Sequence, residues 1–192
     1  MKRLFHPLPS IPFRKISGTS LIEVLMAIVI LTFGLLGLAA LQGKANTAEL
    51  EAYQRGQALI LLQDMTSRIE NNVTNVANYV TGTAAPLGVG TTDEADCSTL
   101  ANRAAIDLCE WSKELKGASE ASGSSNKGAM IDGRGCVEIV TTGTEYKVSV
   151  VWQGIGKTMS PATTSCGSGS YDSNESRRAV TTVVRIPDLA AS

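Results

Sequence analysis

The feature that most constrains this chain is an apolar run from Leu21 to Leu41, LIEVLMAIVILTFGLLGLAAL, in which Glu23 is the only charged residue. About 20 apolar residues in a helix suffice to cross a bilayer, so the run predicts a transmembrane segment over residues 19–41. An ordinary secretory signal places its small-residue cleavage site after a shorter apolar stretch. Here the order is reversed: Ile16-Ser17-Gly18 closes a basic leader, and Thr19-Ser20-Leu21-Ile22-Glu23 follows at once. Cleavage there, on the cytoplasmic side, would strip the leader and keep the helix as an anchor. Lys2, Arg3, Arg14 and Lys15 all precede the run, and the positive-inside rule then puts the leader in the cytoplasm and everything after about Leu41 in the periplasm or outside the cell.

Glu23 carries a physical demand of its own. An acidic side chain within an apolar span costs about 2.5–3.5 kcal/mol on insertion scales unless it is paired. The nearest partner is a free α-amino group created by cleavage, and in a staggered bundle of helices that amine could belong to a neighbouring subunit and set axial register. The plainer reading is that Glu23 lies close enough to the interface to stay hydrated or protonated.

Setting aside the four leader cations leaves 13 of the 17 basic residues against 18 acidic ones, a net charge of −5. A nucleic-acid surface shows a basic patch or stripe, so direct nucleic-acid binding is not expected. Cys97, Cys109, Cys136 and Cys166 all lie beyond the apolar run, with no C-x-x-C pair and no nearby histidine; the pattern reads as disulfides in an oxidising compartment and not as zinc. Three pairings are open, and Cys97 with Cys109 and Cys136 with Cys166 are favoured because each closes a local loop. His6, the only histidine, belongs to the leader. The mature chain therefore lacks the commonest general base, and phosphate-loop, nucleophile-elbow and His-Glu-x-x-His motifs are all absent. The chain reads as a non-enzyme without cofactor or metal; Asp93, Glu94 and Asp96 lack the spacing of a calcium loop.

Leu62, Met65, Ile69, Val73 and Val76 recur at spacings of three and four, predicting an amphipathic continuation of the helix over residues 42–80. Gly34 and Gly37 mark either a point of local unwinding or one of close helix packing. Residues 81–192 read as a globular head. Within it, 81–96 is a loop, Ser98 an N-cap, Leu100 to Leu115 a short helix stopped by Gly117, and 118–128 a flexible linker. Three strands follow, over 136–141, 146–153 and 178–186. Tyr146, Val148, Val150 and Trp152 share one face of the second, and Val180, Thr182, Val184 and Ile186 share one face of the third. Thr142-Gly143-Thr144-Glu145 suits a hairpin, the loop 154–176 tied by Cys166 reads as a surface element, and Trp111 and Trp152 fit core stripes. The fold class expected is α+β, a long helix packed on an antiparallel sheet of three to four strands.

The segment Gly18-Thr19-Ser20-Leu21-Ile22-Glu23-Val24-Leu25 resembles the prepilin motif of the type IV pilin superfamily, and the likeness in detail covers roughly residues 14–45. The resemblance implies cutting by a prepilin peptidase between Gly18 and Thr19, N-methylation of Thr19, and a subunit-register role for Glu23. Thr19 departs from the hydrophobic first residue usual in major pilins. Together with the length and the four cysteines, this makes the chain most similar to the PilV-type minor pilins, the type IV pilus modification proteins. The partners implied are other minor pilins, the major pilin and an inner-membrane assembly platform; the location implied is the inner membrane, single-pass with the head periplasmic, and then the extracellular pilus. The implied role is priming or tip-complex assembly, and through it adhesion, twitching motility or DNA uptake. A minor pseudopilin of a type II secretion system shares nearly the same motif, and a monomeric signal-anchored periplasmic binding protein is the alternative of another class.

Overall fold

The computed structural model describes Gly18, residues 20–117, 121–122, 125–126 and 130–187. The leader and Thr19 lie outside the described residues. The chain divides into two compact units, one ending at Ala45 and one running from Asn46 to Ser192. From residue 46 on, the helical segment read as an amphipathic continuation thus belongs to the second unit, the head.

Helix α1 spans Leu21–Glu70, about 75 Å at 1.5 Å per residue. In its first part every residue from Leu21 to Leu41 is exposed, and a window of this helix reaches a mean hydropathy of 2.7, long and apolar enough to cross a membrane. In the head the same helix becomes one-sided. Gln54, Ala58, Leu62, Met65 and Ile69, three or four residues apart, form its buried stripe, the pattern that packs a surface helix onto a core.

The amphipathic pattern predicts helix to about residue 80, but α1 ends at Glu70 and a 3-10 segment, Val73–Tyr79, follows with non-helical backbone at Asn75. The cause is local. Asn71, Asn72, Thr74 and Asn75 all offer side-chain hydrogen bonds that compete with the helical ladder. Asn72 Nδ2 donates to the Tyr79 hydroxyl at 3.1 Å and Asn75 Nδ2 to Asn72 Oδ1 at 2.8 Å. Val76 and Tyr79 remain buried despite the change of helix type.

Helix α2 is Arg103–Leu115. Its cap is Asn102, whose Oδ1 accepts from Ala105 N at 2.9 Å, and not Ser98. Ser98 instead sits in a 3-10 turn, Cys97–Thr99, capped by the Asp96 side chain, and extended backbone at Leu100 separates the two. Gly117 ends the helix as expected, at φ +77°, a conformation glycine adopts without steric cost.

The main sheet is antiparallel and open, in the order β1-β4-β5-β6, with β1 Leu87–Gly88, β4 Arg134–Thr141, β5 Glu145–Gln153 and β6 Arg177–Arg185. The three strands expected are present within two residues of their bounds, and the fourth is a two-residue strand inside the segment read as a loop. Two more short strands, β2 Ala121–Ser122 and β3 Ser125–Asn126, pair with each other inside the expected linker; the rest of that linker lies outside the described residues. Gly143, at φ +81°, turns β4 into β5.

One face of the sheet meets the helices. Leu62, Met65 and Ile69 of α1 and Trp111 and Leu115 of α2 pack with Val137, Val148, Val150 and Val184, each burial contributing about 1.5–3 kcal/mol. The architecture is the expected α+β arrangement. On the reverse face, Ser149 and Val151 point away from the helices yet are fully buried. They are covered by the loop 154–176, through Cys166 and Tyr171.

Candidate assembly site

At the start of α1, the Ser20 carbonyl accepts from Glu23 N at 2.9 Å and from Val24 N at 3.3 Å. These bonds open the helix at Leu21 and place Glu23 in its first turn, where a negative charge complements the unsatisfied N–H groups and the dipole. Glu23 is exposed and has no ion-pair partner among the described residues. It is the single carboxylate on a surface made by Leu21, Ile22, Val24, Leu25 and Met26, all more than 45% exposed. Such a surface is stable only when lipid or other chains cover it. Further along, Thr32 Oγ1 satisfies itself on the Val29 carbonyl at 2.7 Å, so its hydroxyl adds no unmet polar demand to the span. Gly34 and Gly37 lie within unbroken helix, with open space where a Cβ would stand.

Gly18 is described and exposed; the structure says nothing of Thr19. The four cysteines are brought together in pairs. Cys97 is bonded to Cys109 and Cys136 to Cys166, across sequence separations of 12 and 30. The first ties the segment before α2 to that helix, and the second, fully buried, fastens the loop 154–176 to β4.

Two arrangements in the head are not among the sequence expectations. Arg68 of α1 faces a carboxylate row on α2: its Nη1 meets Glu110 at 2.5 Å and Asp107 at 3.2 Å, its Nη2 meets Glu114 at 3.3 Å, and its Nε meets Asp64 at 2.7 Å. Burial opposes the charge on Arg68, but the bonds to Glu110 and Asp64 outweigh it and the guanidinium is held above its usual pKa. Glu114 is pushed up by burial and by Asp64, against the opposing pull of Arg68. The signal in the sequence is the spacing Asp107, Glu110, Glu114, one acidic stripe on a helix.

The second arrangement is Arg177, 3% exposed. Its Nη1 donates to the carbonyls of Thr164 and Cys166, both at 2.9 Å, so it clamps the loop from below while Thr164 Oγ1 bonds Ser149 at 3.2 Å. The loop is therefore partly a covering layer of the sheet, and its exposed residues are 155–160, 162–163, 165, 168–169, 172 and 174–175. Asp93, considered above as an acidic loop residue, is engaged by Lys116 at 2.5 Å and Ser112 at 2.6 Å. Among the described residues no three His, Cys, Asp or Glu side chains group to hold a metal ion.

On the head's part of α1, three apolar residues outside the buried stripe, Leu50, Leu59 and Ile60, are 55%, 47% and 62% exposed. No family model, curated protein or solved structure matches the chain.

Proposed function

We propose that the chain is a minor pilin subunit of a type IV pilus, acting in priming or tip-complex assembly of the filament. The observation that carries the reading is Glu23, a carboxylate without an ion-pair partner among the described residues, in the first turn of a helix whose stretch from Leu21 to Leu41 is apolar and exposed, five residues beyond Gly18. In the proposed mechanism the head stands on the periplasmic side, a prepilin peptidase cuts after Gly18, and Thr19 is N-methylated. The subunit then leaves the bilayer by docking its apolar helix among those of other minor pilins and the major pilin on an inner-membrane platform. The new α-amino group of a neighbour pairs with Glu23 and offsets the cost of carrying that charge in an apolar setting. Exposed Leu50, Leu59 and Ile60 add apolar contacts for the same helix packing along the head's part of α1.

The test is an in-frame deletion complemented by the intact gene or by a Glu23→Ala gene, scored for surface pili, twitching and secreted exoproteins. Loss of pili with normal secretion, restored by the intact gene only, is the expected result. Normal pili with blocked secretion would replace this reading with the type II pseudopilin.

A further inference from the structure

Within the head, the helix residues Glu51 and Arg55 and the strand residues Trp152 and Arg178 line a cavity of about 220 Å³. Its donors and acceptors do not balance. Glu51, four residues before Arg55, is where a helical ion pair would form. Its Oε1 is instead taken by the Ile155 N–H at 2.8 Å and by Arg178 Nη2 at 3.3 Å. Arg178 is further occupied by the carbonyls of Gly156 at 2.7 Å and Glu175 at 3.2 Å. Arg55 is left exposed and without an ion-pair partner among the described residues. Trp152 is 3% exposed, and its indole Nε1 meets no acceptor there. A buried N–H without a partner costs about 1–3 kcal/mol, and Trp indoles normally find one.

We propose that this cavity is a carboxylate-binding site, in which the ligand's two oxygens face the Arg55 guanidinium and a small turn of the indole gives Nε1 an acceptor. The surplus is two unclaimed donor groups, one of them cationic, beside a carboxylate, Glu51, that already accepts two bonds on Oε1. Arginine recognises carboxylates in a two-pronged geometry, and the volume suits a group of a few heavy atoms. The carboxylate belongs either to a small free acid or to an acidic side chain of another chain.

The experiment follows the two indole N–H resonances of the full chain in detergent micelles as sodium succinate is added, against sodium chloride of equal ionic strength. The blocked tripeptide acetyl-Gly-Glu-Gly-amide serves as the protein-borne probe. Trp152→Phe or Trp111→Phe, whichever folds, assigns the two peaks. The expected result is a saturable shift of the Trp152 peak alone, weakened at least about tenfold by Arg55→Gln, which removes a charged hydrogen-bond partner. Saturation by succinate assigns a free acid, and saturation by the tripeptide alone assigns an acidic side chain. An unmoved Trp152 peak with both probes, or a shift that survives Arg55→Gln unchanged, overturns the site.

Discussion

Gly135 of β4 lies directly under the Trp111 ring of α2, where an added Cβ would stand 2.2 Å from Cη2. The ring is fully buried and its Nε1 donates to the Leu61 carbonyl of α1 at 2.9 Å, so one side chain joins both helices to the sheet. The contact is backbone-close, and relief requires moving the helix or the ring. Gly135→Ala is expected to destabilise the head by about 1–3 kcal/mol, the usual range for overpacking a dense core. Denaturant unfolding of the detergent-solubilised chain, followed by Trp fluorescence, reads this as an earlier midpoint.

Arg68 is the counter-charge for Asp64, Asp107, Glu110 and Glu114 together. Arg68→Met leaves those carboxylates crowded, with Asp107 only 1% exposed and Arg103, at 2.9 Å, its remaining cation. Removing one partner of a buried pair costs about 3–5 kcal/mol, and the lower end is expected because Glu110 and Glu114 reach solvent. Arg68→Met combined with Asp107→Asn should recover part of the loss. An additive double variant would show that the two residues do not couple.

The Tyr79 hydroxyl is pushed up to about 12 by burial and by its bond to Asp107. Burial and Asp132 push Tyr171 up as well. A phenol whose folded pKa exceeds its unfolded value, near 10, keeps its proton when the unfolded chain has lost it. The stability it contributes is therefore complete below about pH 10 and lost as the pH rises towards about 12. Absorbance titration of the folded chain should show Tyr79 and Tyr171 ionising late, and Tyr79→Phe should flatten the alkaline decline in stability.

The two disulfides should contribute unequally. Closing a loop of 30 residues restricts the unfolded chain more than closing one of 12, which gives about 4 against about 3 kcal/mol on the chain-entropy account. Replacing Cys136 and Cys166 by serine is thus expected to cost more than replacing Cys97 and Cys109. It should also raise hydrogen exchange in the Thr164 and Ser149 region, since the loop then loses its covalent tie to β4.

Periodicity made much of this fold legible before the coordinates. The stripe Leu62, Met65, Ile69 and the alternation Tyr146, Val148, Val150, Trp152 each have one dominant period, and both elements lie where that period puts them. What escaped was contextual. Leu87–Gly88 is a strand only because β4 offers an edge to pair with, and two residues have no period. The end of α1 is set by competition among Asn71, Asn72 and Asn75, whose hydrophobic spacing to Val76 and Tyr79 still looks helical. The burial of Ser149 depends on a loop fifteen residues away, and its signal was an arginine, Arg177, beginning a strand beside a cysteine-bearing loop. At the N-terminal site the motif from Gly18 to Glu23 was readable as local chemistry. The free donors of Arg55 and Trp152 were not, because they are defined by what Glu51 binds instead.

The central claim concerns the N-terminus and the filament, and mass spectrometry of the chain recovered from sheared surface pili addresses both. The account predicts that the subunit is present and that its first peptide begins at Thr19 with one methyl group on the amine. A chain absent from the sheared pili, or one that still begins at Met1, would contradict it.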